Sequence, residues 1–437
     1  MQRSKKAQLL VGNRSVEVSN LDKVLYPAGR FSKGDVIDYY ISISKHLLPH
    51  LKDRPVTLKR FPDGVFGEFF YEKDAPAFTP SWVKTFDVPR KETTGPDIRY
   101  VLINDLATLV WLANLANLEI HPFLHRVPRI DRPTSIVFDC DPGEGADILS
   151  CVRVALSLRA LLTDLNLESF AKVSGSKGVQ VYVPLNTPAT YRETRGLAKG
   201  LAELLERRQP KLIVSQMAKA LRTNKVFIDW SQNAAFKTTV SVYSLRAKSH
   251  RPHVSMPVTW DELDDVLKRK KTGELFFAPE EAIKRMDALG DIFRPVLEKT
   301  QHIPADVRGY FQESSRTSSK RRRKANSAAI QPSRQGSRRR FVIYKDTTIG
   351  RFSFGMEMSE AVKCWSLAQE FPHEKSKPLS AKPVADLPVE RLNSESKRRQ
   401  KTEEPPGLVW DVGTYNLIEG NYAKGFLRFY LNGETQR

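Results

Sequence analysis

"SIVFDCDPGEG", residues 135–145, ends an apolar run (Ile136, Val137, Phe138) in two aspartates two positions apart, Asp139 and Asp141. A short apolar run stopped by Pro-Gly predicts a strand. Alternate residues of a strand share a face, so both carboxylates project side by side. Carboxylates that close repel strongly unless a cation sits between them. Oxygen-only ligands suit magnesium or manganese. A paired-metal site for nucleotidyl transfer needs a third carboxylate from elsewhere. "KVFIDW", residues 225–230, offers Asp229 at the end of another apolar strand. The D-x-D pattern also fits a plain turn, because Pro142 and Gly143 follow it directly.

Outward from this stretch, "KVSGSKGVQVYVPL", residues 172–185, places a Ser/Gly-rich turn with Lys177 before a strand. Backbone N–H groups, a serine hydroxyl and a lysine in such a turn can cradle a triphosphate, although an ordinary tight turn has the same composition. "VTLKRFP" (56–62), "VQVYVPL" (179–185) and "KVFIDW" read as strands, whereas "INDLATLVWLANLANLE" (103–119) and "TRGLAKGLAELLERRQ" (194–209) have helical spacing. Interspersed strands and helices predict an α/β or α+β domain.

The 437 residues allow two or three domains, and the net charge of +20 points to a polyanionic partner. Residues 316–340 hold ten Lys/Arg and no acid among Ser, Gln and Pro. That composition predicts a disordered basic linker, either a solvated tether or a strip contacting nucleic-acid phosphates. After it, "RRFVIYKD" and "GFLRFYLNGE" (425–434) alternate as in a small β-rich domain, with a polar, proline-bearing loop expected over 374–406. Three unpaired cysteines, no secretion signal and no apolar membrane-length run fit a cytoplasmic chain with no membrane role.

Eight segments in register resemble the polymerase domain of bacterial ligase D, a member of the archaeo-eukaryotic primase superfamily that acts in non-homologous end joining. They are "NLDKVLYP", "LKRFPDG", "FFYEKDAP", "LEIHPFLHR", "FDCDPGEG", "SGSKGVQVYVPL", "KVFIDWSQN" and "VYSLRAK", spread over residues 15–300. The resemblance implies an α+β fold: a primase-like catalytic domain with mixed sheets and flanking helices over residues 1–302. A basic linker over 303–340 and a small, barrel-like β domain over 341–437 would follow. By the same resemblance, Asp139, Asp141 and Asp229 hold two Mn2+ or Mg2+ ions. His121, Ser174, Lys177, Gln180 and Arg246 hold the nucleotide, Asn20, Lys23 and Lys33 take the 5′-phosphate of a DNA end, and Phe69 and Phe70 stack on a base. Gln180 departs from the family, which carries histidine there. A neutral amide donor replaces a charge-assisted one, which is roughly twice as strong.

The last domain resembles the 3′-phosphoesterase module of ligase D with its metal ligands lost. "KDTTIGRFSFG", residues 345–355, stands where an "HDATRLHYDFR"-like stretch is expected. Lys345, Arg351 and Ser353 occupy the places of two histidines and an aspartate, Leu387 that of another histidine, and His373 is the only histidine after residue 302. The expected activity is addition of nucleotides, ribonucleotides preferred, at gaps and broken double-stranded ends bearing 5′-phosphate. NTP or dNTP would be the substrates, Ku and a separate ATP-dependent ligase the partners, and the bacterial nucleoid the setting. The alternatives are a catalytically weakened DNA-end-binding scaffold and a primase that starts chains de novo.

Overall fold

A computed structural model of the chain describes residues 6–90 and 96–305 and, beyond them, the strands Arg339–Lys345, Phe352–Met358, Ala361–Leu367, Ala381–Pro388, Leu408–Asn421 and Phe426–Gly433. The chain divides into two compact units, Met1–Ala325 and Asn326–Arg437. All of the basic stretch 316–340 except Arg339 and Arg340 lies outside the described residues.

The first unit is α+β and built on two sheets. One is six-stranded, in the order Ile213–Val214, Val226–Asp229, Ser135–Pro142, Val179–Pro184, Phe170–Val173, Pro257–Val258. Its pairings are antiparallel except the first, which is parallel. Phe138 and Cys140 are fully buried; Cys140 faces Cys151 on the helix Ile148–Asp164. That helix and Tyr191–Arg208 both pack on this strand, so burial of its alternate apolar residues fixes the register and leaves Asp139 and Asp141 to the opposite face. The second sheet joins Phe70–Glu72, Pro55–Arg60, Ile98–Leu102 and Thr85–Val88, with Asn117–Pro122 also paired to Pro55–Arg60.

The sequence assigned one helix to 103–119, but the structure has a helix only over Leu106–Asn114. Asp105 caps its start by accepting from the Thr108 N–H, and Ala116 turns left-handed at φ +55° after its end. Asn117 onward is strand: tertiary pairing with Pro55–Arg60 overrides a favourable helical pattern. The long helix Lys33–Leu51 starts at a capping box between Ser32 and Asp35, worth about 1 kcal/mol.

In the second unit the described strands form one antiparallel path, Ala381–Pro388, Ala361–Leu367, Phe352–Met358, Arg339–Lys345, Leu408–Asn421, Phe426–Gly433. Residues 381–388 are therefore strand, not loop: they pair with Ala361–Leu367, and Pro383 and Pro388 are accommodated because this strand ends the path as an edge. Lys345 pairs in register with Phe352, Ser353 with Tyr344 and Leu387 with Val362. Arg351 and His373 lie outside the described residues.

Candidate active site

Register aligns four polar residues across the six-stranded sheet. Asp139 lies opposite Asp229 on one side and Gln180 on the other, and Gln180 lies opposite Lys172. Residues directly opposite in neighbouring strands share a face at about 4.5–5.5 Å between Cβ atoms. The row reads Asp229, Asp139, Gln180, Lys172, with Asp141 two residues along from Asp139. Asp139 Oδ1 is buried with no hydrogen-bond partner. Burial, then the Asp141 charge, pushes its carboxyl up to about 8 against the opposing Gln180 amide. Burial and Asp229 likewise raise Asp141. Asp229 is satisfied by protein: Oδ1 accepts from the Ser231 N–H (2.9 Å) and hydroxyl, Oδ2 from Gln232 Nε2 (3.1 Å). Among the described residues no three His, Cys, Asp or Glu side chains close into a metal-ligating cluster. The oxygen-only donors and the orphaned, raised Asp139 nonetheless fit a hard divalent cation, which would replace the proton.

The Ser/Gly turn lies against this row. Ser174 Oγ accepts from the N–H groups of Ser176 and Gly178, closing the loop on itself. A Cβ at Gly178 would lie 2.8 Å from the Cys140 carbonyl and 3.1 Å from Asp141 Oδ1, so only glycine lets the turn reach the aspartate strand. Gly175 has φ +69°, and a Cβ there would meet Arg246 Cγ at 2.6 Å. Lys177 is exposed on the turn. Gln180 is buried at 2% exposure; Nε2 donates to Thr239 Oγ1 at 3.2 Å and Oε1 has no partner.

His121 and Arg246 meet at a carboxylate that the sequence reading passed over. Glu119 Oε2 accepts from His121 Nε2 (2.9 Å) and lies 3.5 Å from Arg246 Nη1; Oε1 accepts from Lys59 Nζ (3.2 Å) and the Ala247 N–H (3.0 Å). Burial works to raise Glu119, but the His121 hydrogen bond with Arg246 and Lys59 outweighs it and holds the carboxyl well below the usual range. Burial lowers His121 and Lys59.

Asn20, Lys23 and Lys33 gather where the long helix begins. Asn20 is left-handed (φ +53°), its carbonyl accepts from the Lys23 N–H, and the Lys33 N–H donates to the Lys23 carbonyl. Both ammonium groups already have protein partners: Lys23 is 2.8 Å from Asp63, while buried Lys33 donates to Asn114 O and Oδ1. Burial and Lys23 lower Lys33.

Phe69 and Phe70 are half exposed but do not form one platform. Phe69 stacks on Phe61 (5.2 Å) with Lys59 Nζ 4.4 Å from its ring, whereas Phe70 lies over Arg60. The residue sharing the face of Phe69 is Tyr71, opposite Lys59 and edge-on to His121 at 6.3 Å. Glu119, Lys59, Tyr71 and Lys172 are the site neighbours that sequence reasoning missed. Their signal was period two: Glu119 with His121, and Tyr71 with Phe69, flank positions already singled out.

The sequence profile described as LigD, primase-polymerase domain, matches residues 32–293. The multifunctional non-homologous end joining protein LigD of Mycolicibacterium smegmatis is 37% identical over 405 residues, covering 92% of this chain and 51% of its own length. The bifunctional non-homologous end joining protein LigD of Bacillus subtilis is 35% identical over 254 residues, 58% of this chain and 40% of its own length. The chain thus spans about half the length of the curated relatives it matches. A solved polymerase domain from Mycobacterium tuberculosis ligase D, in complex with DNA, superposes with TM-score 0.60 at 37% identity, covering 65% of this chain and 98% of that one. No helix among the described residues is long and apolar enough to cross a membrane. By the profile match, the relatives and the shared fold, the chain belongs to the LigD primase-polymerase domain family.

Proposed function

We propose that the chain is a metal-dependent nucleotidyltransferase that adds nucleotides, ribonucleotides preferred, at gaps and broken DNA ends during non-homologous end joining. One observation carries this reading: Asp139, with an unpartnered buried oxygen, shares its sheet face with Asp141 and Asp229 beside the Ser174–Gly178 turn. Carboxylates gathered against a backbone cradle suit cations that meet phosphate. Asp139, Asp141 and Asp229 would hold two Mn2+ or Mg2+ ions, which supply charge neutralisation for the triphosphate and activation of the primer 3′-hydroxyl. The turn at Ser174, with Lys177 and Arg246, binds the triphosphate, and His121 and Gln180 line its bed. Asn20, Lys23 and Lys33 take the 5′-phosphate at a helix start, a suitable place for an anion. Phe69 and Phe70 offer ring faces to bases. The DNA-bound tuberculosis polymerase domain supports DNA as the partner, and double-stranded ends bearing 5′-phosphate are the form this reading gives it. Ku and a separate ATP-dependent ligase are the partners this reading calls for, and a phosphoesterase-like second unit without metal chemistry completes it.

Gln180 favours a second reading, a DNA-end-binding scaffold with weakened chemistry, because its amide is shared between Thr239 and Asp139 and carries no charge. Primer extension on a recessed end bearing 5′-phosphate, with Mn2+ and NTP, separates the two. Extension lost in Asp139→Ala establishes the enzyme. Tight, 5′-phosphate-dependent binding without extension, rescued by Gln180→His, establishes the scaffold.

A further inference from the structure

Glu119 is 1% exposed, so it cannot touch a nucleotide. It touches four groups that frame the nucleotide bed instead: Lys59, the Ala247 N–H, His121 and Arg246. An ionised carboxylate only accepts hydrogen bonds, so the ring nitrogen of His121 facing it must carry the proton. The other ring nitrogen of a neutral imidazole is then an acceptor. Triphosphate oxygens are acceptors too and cannot pair with it. What can pair is a hydroxyl, and a nucleotide sugar carries two. Arg246 answers the other half of the ligand. One carboxylate faces two basic groups, Lys59 and the permanently charged Arg246, and Arg246 Nε is buried without a partner. The Arg246 stem lies against the phosphate turn at Gly175.

We propose that Glu119 is a positioning residue of the nucleotide bed: it fixes His121 as a hydrogen-bond acceptor for a sugar hydroxyl and, with one charge between two basic neighbours, leaves Arg246 charge to spare for phosphate. The inference rests on the nucleotide-binding reading above. It sets up a division of labour in which His121 reads the sugar and Arg246 reads the charge. Glu119→Gln keeps the shape and breaks the division. The amide of Gln must put its NH2 toward one donor pair. Turned to His121, it forces the imidazole proton to the other nitrogen and makes the ring a donor, which a phosphate oxygen or water satisfies as well as a hydroxyl, so the sugar loses its exclusive claim. Turned to Lys59 and Ala247, it confronts two donors.

The test is equilibrium binding of ATP, 2′-deoxy-ATP, 3′-deoxy-ATP and inorganic tripolyphosphate to the full chain, with no primer and no turnover. Because Glu119→Gln strips Lys59 of its counter-charge, the double variant Lys59→Met/Glu119→Gln is measured beside it; Met fills the same space among Phe61, Phe69 and Tyr71. The parent should bind ATP about tenfold tighter than the deoxy analogue lacking the hydroxyl that meets His121, the worth of one good hydrogen bond. Both variants should lose that preference while keeping most of their tripolyphosphate affinity, and which analogue discriminates identifies the hydroxyl. Variants that discriminate like the parent overturn the role of Glu119 and leave the nucleotide site standing. A parent that binds both deoxy analogues as tightly as ATP overturns the acceptor assignment of His121. A parent that binds no nucleotide overturns the nucleotide-binding reading, and this inference with it.

Discussion

Asp139 and Glu119 are carboxylates removed from water in the same domain, and burial ends differently for each. Glu119 has partners on both oxygens, two of them basic side chains, and stays ionised well below the ordinary range. Asp139 has an orphaned oxygen, two carboxylate neighbours and a neutral amide beside it, and is pushed up to about 8. Its cation on the same row, Lys172, lies one strand beyond Gln180, hydrogen-bonded to Ser255 and itself lowered by burial. The fold completes the charge balance of one site and leaves the other open. An acid already balanced can hold neighbours in place; an unbalanced one invites a ligand of opposite charge.

The largest effect expected from that contrast is on chemistry. Asp139→Ala should lower primer extension by about a thousandfold or more, several kcal/mol of transition-state stabilisation, with DNA binding retained; extension within a few-fold of the parent would remove the carboxylate row from the reaction. Glu119→Ala should act on the fold instead. It leaves Lys59 buried among aromatic rings without a counter-charge, a loss of about 3–5 kcal/mol, seen as a clearly lower urea midpoint. An unchanged midpoint would mean that the Glu119 cluster is not the balanced site described here.

These two acids were unequally legible in the sequence. Asp139 and Asp141 announced themselves because acids at i and i+2 interrupt an apolar strand, and Asp229 stood at the end of another, but its register opposite Asp139 came only with the fold. Glu119 was invisible for a physical reason: its strand had been absorbed into the preceding helix, where "ANLE" continues the helical spacing. Only pairing with Pro55–Arg60 shows that it faces Lys59, 60 residues away in the sequence. Aromatic roles suffered similarly. Neighbouring Phe69 and Phe70 look like a pair in sequence, but alternation along the strand sends Phe69 with Tyr71 and Phe70 to Arg60.

A pH experiment sharpens the comparison at smaller amplitude. Unfolded, Asp139 titrates near 4; folded and metal-free, near 8. Between those values the folded chain keeps a proton that the unfolded chain has released, so stability falls as pH rises through the window and the loss is complete above about 8. Asp139→Asn should therefore raise the metal-free melting temperature at pH 8.5 and change it little at pH 4. Mn2+, which must displace the proton, should stabilise the parent more at pH 8 than at pH 6. A melting temperature of Asp139→Asn that tracks the parent across this range would show that the site is not strained by charge.

The smallest effect separates a third kind of pairing from both. Lys23 and Asp63 are 2.8 Å apart, with the lysine side chain 42% and the aspartate 72% exposed. A pair that open contributes about 0–1 kcal/mol, so Asp63→Asn should leave the melting temperature almost unmoved. It should still matter for binding, because Asp63 occupies the ammonium group that the 5′-phosphate of a DNA end is proposed to take. Freed of it, Lys23 has only solvent to leave, and the loop from Asp63 to Gly67, anchored elsewhere by the Gly64 and Val65 N–H groups, keeps its course. The expected outcome is several-fold tighter binding of 5′-phosphorylated over 5′-hydroxyl ends at low salt, fading as salt screens the contact. Equal gains for both ends would assign Lys23 to general attraction of DNA rather than to the terminal phosphate.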